Sequence, residues 1–153
     1  MPNNYTQLYI HCVFAVKFRE AVLNPEWDKR LRLYITAIVQ NNGHKMHAIN
    51  TMPDHLHMFI GLNPAQSLSK LMQLVKGDSS EWVNKERLTT KKFHWQSGYG
   101  AFSHSKSQIS RVAGYIENQQ KHHAKKAFLD EYRKMLENFS VAYDEQYIFK
   151  EME

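Results

Sequence analysis

The chain has 153 residues, 42% hydrophobic and 23% charged, enough for one domain with a real core, and residues 1–153 read as that single domain. No apolar run approaches the 18 or so residues of a membrane span, and the opening MPNNYTQLYI has no charged stretch leading into a long apolar one, so a cytoplasmic protein is expected, in keeping with the single Cys12. Twenty Lys plus Arg against 15 Asp plus Glu leave a net charge of +5, which suits a polyanionic partner and equally suits plain solubility.

Tyr5 to Phe18, YTQLYIHCVFAVKF, is rich in β-branched and aromatic residues and predicts a long strand. Asn24 and Pro25 then supply an N-cap and a first-turn proline, Leu31, Tyr34, Ile35, Ile38 and Val39 follow at helical spacing, and Gly43 closes the helix. Lys45–Thr51 is a short strand, Met52-Pro53-Asp54 a turn, and His55–Leu62 a second strand. Pro64 and Ser67 open another helix, with Leu68, Leu71, Met72, Val75, Trp82 and Val83 on one stripe. KFHWQSGYGAFSHS reads as a strand and a glycine-punctuated loop. Helices follow near Ser107–His122 and Lys125–Asn138, and Val141–Phe149 fits either type. The first part is thus β-α-β-β-α-β. That order predicts an α+β, ferredoxin-like antiparallel sheet with helices on one face, the other face left free, and additional C-terminal helices.

The segment PDHLHMFIGL places His55 and His57 two apart on a strand. Side chains at that spacing point the same way, with Cα atoms roughly 6.5–7 Å apart. Leu56, Met58 and Ile60 take the opposite face and suit a core under helices. Two neutral imidazoles at that distance can converge on one metal ion, although an isolated H-x-H pair is more often a surface feature. His11 on the first strand can approach the same place, where a structural hydrogen bond is a better fit than ligation.

In SRVAGYIENQQKHH, Ile109, Val112, Ala113, Ile116 and Gln120 fall within about 100° of arc and form a packing face. Tyr115 and Gln119, four apart, lie one above the other on its flank, beside Gln108 and Arg111. Mid-helix Gly114 costs about 1 kcal/mol relative to Ala, so it implies close approach of another backbone or a need to flex. His122 and His123 suit a helix C-terminus.

YIHCVFAVKFR, PDHLH, LVKGDSS, WQSGYGAFSHS and YIENQ, in that order, resemble the corresponding segments of the single-tyrosine HUH transposases of small bacterial insertion sequences, of the TnpA type; the tail YDEQYI also fits. The resemblance spans nearly the whole chain. It implies that Tyr115 is a nucleophile attacking single-stranded DNA to form a 5′-phosphotyrosine link. It also implies that His55 and His57 are metal ligands, that Gln119 is a third ligand from the tyrosine helix, and that the ion is Mg²⁺ or Mn²⁺. Substrates would be DNA hairpins at element ends. The protein would be a homodimer with composite sites, Tyr115 sitting nearer the partner's histidines than its own, and Gly98 and Gly100 would give the connection freedom.

Lys70, Lys76, Lys85, Arg87, Lys91 and Lys92 along or beyond the second long helix, with Arg111 beside the tyrosine, are the expected DNA-binding cations. Phe93, Trp95 and Tyr99 are candidate base-stacking rings, each a better prospect for the core. The alternatives are a domesticated endonuclease of palindromic repeats, a metal-dependent hydrolase using water, and a non-catalytic single-strand binder. The last rests on SGYGAFSHS, a distant likeness to an RNA-binding motif that lacks its leading basic residue.

Overall fold

The structure is a computed structural model and describes residues 4–119 and 128–142. Gln120, His122, His123 and the tail from Tyr143 lie outside the described residues. Four strands, β1 (Tyr9–Ala15), β2 (Lys45–Met52), β3 (His55–Gly61) and β4 (Gly100–His104), form one sheet in the order β2-β3-β1-β4 with antiparallel neighbours throughout. With α1 (Asp28–Asn41) and α2 (Leu68–Lys85) this is the expected ferredoxin-like α+β arrangement, and α3 (Ile109–Glu117) and α4 (Phe128–Asn138) follow it.

Boundaries differ from the sequence expectations where local geometry wins. Tyr5 is 97% exposed with nothing to bury against, and β1 begins only at Tyr9. At its far end Phe18 and Arg19 adopt φ of 59° and 55°, which breaks an extended run. Asn24 makes a local turn rather than the helix cap. Its side chain accepts the Glu26 N–H at 2.8 Å, its carbonyl takes the N–H groups of Trp27 and Asp28, and α1 starts at Asp28. Ser67 is the expected N-cap of α2, accepting the Lys70 N–H at 3.0 Å.

The main core lies on one sheet face, where Phe14, Leu56, Met58 and Ile60 pack with Leu31, Ile35 and Val39 of α1 and Leu71, Met72 and Val75 of α2. Phe93 and Trp95 belong to this core. Trp95 meets Phe14 edge-on at 4.7 Å and donates its indole N–H to Ser79 Oγ at 2.9 Å. Tyr99 packs at its margin.

The second sheet face is not free, contrary to the expectation. Val112 and Ile116 of α3 pack on Ala48 and Phe59, and Phe128, Tyr132 and Leu136 of α4 join the core. The reason is compositional: Val13, Ala15, Phe59 and Phe102 all point to this side by register, and an open face would leave them in water. Asn50 of β2 seats the end of α3 by donating to the carbonyls of Ile116 at 3.0 Å and Glu117 at 3.3 Å. A base-stacking platform of the RNA-binding type needs that face open, so the covered face counts against the non-catalytic binder. Gly100 is needed for packing rather than for freedom. A Cβ there would lie 2.8 Å from the Tyr132 ring, so the missing side chain is what lets α4 settle on β4.

Candidate active site

His55 and His57 project from β3 to the α3/α4 side, and both are fully buried. Each ring is anchored through Nδ1. His55 Nδ1 lies 2.7 Å from Asp54 Oδ1, and Asp54 Oδ2 takes a forked pair of bonds from Arg19 Nε (3.1 Å) and Nη2 (2.8 Å). Burial alone would raise the Asp54 carboxyl. The hydrogen bond and charge of His55, and then Arg19, more than offset it and bring the value down to about 2. The turn with two left-handed residues is what aims Arg19 at Asp54, and its guanidinium also lies 5.0 Å over the Phe128 ring. His57 Nδ1 is 2.8 Å from His11 Nε2, the structural hydrogen bond expected of His11. Burial first, and then His57 and His104, hold His11 well below the usual imidazole range, so it stays neutral. Such anchoring fixes ring orientation and makes Nε2 the position for a ligand.

α4 closes the roof. The Phe128 ring stacks on His55 at 3.9 Å between centroids and 20° between planes, and Glu131 Oε1 comes within 3.1 Å of His57 Nε2. α3 brings in Tyr115, half-buried, its ring edge-on to His57 at 6.2 Å and to His11 at 6.3 Å. The phenol hydrogen-bonds with both Gln119 and Glu131. Burial raises its pKa above the ordinary range, the Glu131 charge adds to this, the Gln119 bond works against it, and the Glu131 bond adds again. The hydroxyl is therefore a neutral phenol at pH 7 with a carboxylate as acceptor.

The expected third ligand, Gln119, is fully buried one turn below Tyr115. Its Nε2 donates to the Tyr115 carbonyl at 3.4 Å, and its Oε1 has no hydrogen-bond partner among the described residues. His55, His57 and Glu131 each offer a ligand atom, all within 4.8 Å of one another. Two imidazoles and a carboxylate in one dry cluster fit a divalent cation, Mn²⁺ more comfortably than the oxygen-loving Mg²⁺.

Tyr115 thus lies over its own chain's histidines, whereas the sequence reading expects it nearer a partner's. Of the expected DNA-binding cations, Arg111 alone is on the tyrosine helix. Lys70, Lys85, Arg87, Lys91 and Lys92 are exposed on or just past α2, in the layer on the other side of the sheet. Lys76 is committed to structure. Its Nζ donates to the carbonyls of Gln96 and Gly98, each at 2.7 Å, and burial lowers it to about 8. Sequence reasoning missed Arg19, Asp54 and Glu131. Asp54 was signalled by its place directly before His55. Glu131 was signalled by falling on the apolar stripe of Phe128, Tyr132 and Leu136, where an acid has to have a partner.

Among the described residues no helix is long and apolar enough to cross a membrane. Residues 4–119 match the sequence model of the family described as "Transposase IS200 like". The ISDra2 transposase TnpA of Deinococcus radiodurans is 28% identical over 118 residues, which cover 74% of this chain and 84% of that protein. A crystal structure of a candidate transposase from Deinococcus radiodurans R1 superposes with a TM-score of 0.64 at 24% identity, covering 78% of this chain and 95% of that one. A structure of a REP-associated tyrosine transposase bound to a REP hairpin gives 0.61 at 15% identity, covering 94% and 91%.

Proposed function

This chain belongs to the IS200-like transposase family and is an enzyme acting on DNA, and from that premise we propose that it cuts and rejoins single-stranded DNA through a covalent bond to Tyr115. The observation that supports this reading most is the meeting of the Tyr115 hydroxyl, the Glu131 carboxylate and two anchored imidazoles in one buried cluster.

Tyr115 Oη attacks a backbone phosphorus, the P–O3′ bond breaks, and the products are a 5′-phosphotyrosine and a strand ending in a 3′-hydroxyl. Because burial and a nearby carboxylate suppress ionisation of the phenol, its proton needs an acceptor in the step, and Glu131 is already hydrogen-bonded to it. A 3′-hydroxyl attacking the phosphotyrosine reverses the reaction, one P–O bond for another, so no nucleotide is consumed. His55, His57 and Glu131, with Gln119 as the further ligand the resemblance implies, would hold Mg²⁺ or Mn²⁺, which when bound polarises a phosphate and offsets charge on its oxygens. The relative solved with a bound REP hairpin supports a DNA hairpin as the substrate; that the hairpin lies in single-stranded DNA at the ends of a mobile element is part of the proposal.

Both histidines are fully buried, so a phosphate reaches them only when α3 or α4 shifts. The homodimer with shared sites is the extreme case, in which α3 leaves its own sheet for a partner's. Mixing Tyr115→Phe and His57→Ala chains separates the two arrangements. Restored activity requires sites shared in trans, and none is restored if each chain works alone.

The test is denaturing electrophoresis after incubation with a labelled single-stranded hairpin and Mn²⁺. A protein–DNA band that Tyr115→Phe abolishes is expected. Tight binding with no band would instead indicate a binder, and cleavage surviving Tyr115→Phe would indicate a hydrolase using water. Matched hairpins flanking the gene separate a mobile element from a domesticated endonuclease.

A further inference from the structure

A cleft of about 390 Å³ opens beside Tyr115, between α3, β4 and the end of α4. That volume is within the range of about 300–1,000 Å³ typical of ligand sites. Its walls are Gln108, Arg111 and Tyr115 on one side, His104 from β4, and Phe139 opposite. Of its lining, the proposed reaction uses Tyr115, and His11 anchors His57; Gln108, Arg111, His104 and Phe139 have no role in it.

Phe139 is 40% exposed, yet it is held firmly. It sits at the C-cap of α4, where the Ser140 N–H bonds to the Glu137 carbonyl at 3.0 Å, the Val141 N–H bonds to the Leu136 carbonyl at 2.9 Å, and Ser140 takes φ of 54°. The ring leans on Phe102 at 4.9 Å and meets His104 edge-on at 5.4 Å. Arg111 is exposed and four residues before Tyr115, hence its neighbour along the helix face. Among the described residues its guanidinium has no carboxylate partner and makes a bond of 3.5 Å to Gln108 Oε1. A cation with no carboxylate partner among the described residues, a rigid half-wet aromatic ring and a nucleophile thus share one opening. An unpaired nucleotide matches that chemistry: an anionic phosphate for the guanidinium, and a flat base for the ring.

We propose that this cleft takes an unpaired nucleotide next to the scissile phosphate, with Arg111 on its phosphate and its base against Phe139 and His104. The proposal rests on the reading of Tyr115 as the nucleophile of a single-strand transposase. It makes Phe139 a positioning residue that selects unpaired over paired DNA, since a base inside a duplex offers no free face.

The probes are two labelled octamers, thymidine DNA and an abasic backbone of equal length, bound without metal and followed by fluorescence anisotropy. The native chain should favour the thymidine octamer at least about five-fold, the lower range for one stacked base. Phe139→Ala should erase that preference while binding the abasic octamer as before, and Phe139→Tyr should keep it. Arg111→Met should weaken both octamers alike and reduce the salt dependence by about one phosphate contact. Should Phe139→Ala fail to fold, Phe139→Leu, apolar but not aromatic, replaces it. Equal binding of the two octamers by the native chain, or a preference that survives loss of the ring, overturns the proposal. Failure of the transposase reading appears elsewhere, as absence of the Tyr115-dependent covalent band. With that band present and the ring without effect, the cleft proposal alone falls.

Discussion

On one face of the sheet Phe14, Leu56, Met58 and Ile60 pack against apolar side chains of α1 and α2. On the other, His11, His55 and His57 lie under Phe128, Glu131 and Tyr115. Both faces are dry and both bury apolar side chains, but only the second buries a cluster of ionisable groups among them. The second keeps imidazoles, a carboxylate and an amide out of water, a costly arrangement unless each group is held by another. Paired Nδ1 anchors meet part of that cost, and the orphaned Gln119 oxygen is where it remains unmet. The first face stabilises the fold, and the second draws on that stability to keep a reactive cluster in place.

The largest effect should come from breaking the first face. Phe14→Ala removes a fully buried ring and is expected to cost about 3–5 kcal/mol in a denaturant titration. The surviving folded protein should still rise in Tm with Mn²⁺, because ligand binding adds its own increment to stability. His57→Ala should abolish the Mn²⁺-dependent rise. A rise that persists in His57→Ala, or vanishes in Phe14→Ala, would mean the two faces do not divide the labour this way.

A middle-sized effect tests the anchor. The Asp54 carboxyl sits at about 2 in the folded chain against an ordinary 3.8. A depressed carboxylate stabilises the fold above its unfolded value, and that contribution disappears as pH falls from about 4 through 2. The gap is worth about 2 kcal/mol. Asp54→Asn should lose roughly that much at pH 7 and show a flatter acid-unfolding profile. Identical profiles for the two chains between pH 5 and pH 2 would show that the Arg19–Asp54–His55 chain does not stabilise the fold.

This same division explains what could be read from the chain. The succession of strands and the first two helices follow from periodicity because the first face obeys the burial rule: apolar residues alternate on the strands and recur at helical spacing. The paired histidines and the tyrosine could be singled out because imidazoles in an apolar strand and a phenol off the helix stripe break that rule. The covering of the second face could not, since the histidines there made it look polar while Val13, Ala15, Phe59 and Phe102 made it apolar. Glu131 escaped for a related reason. An acid 74 residues beyond His57 has no local pattern tying it to β3, and only tertiary packing brings the two to 3.1 Å.

The smallest effect bears on how rigid the second face is. A Cβ at Gly114 would touch nothing within 4 Å among the described residues of this chain, so no packing within the chain asks for the glycine, which suits flexing. Gly114→Ala should therefore stabilise the chain by up to about 1 kcal/mol, the ordinary gain of Ala over Gly inside a helix. The same change stiffens α3 immediately before Tyr115. With both histidines fully buried, a phosphate can enter only if α3 or α4 gives way, so formation of the phosphotyrosine band should slow several-fold even as stability rises. Opposite signs for stability and rate are the signature of a hinge. A stabilised chain with an unchanged rate would show instead that α3 reacts in the position it occupies here, and that the opening lies on the α4 side.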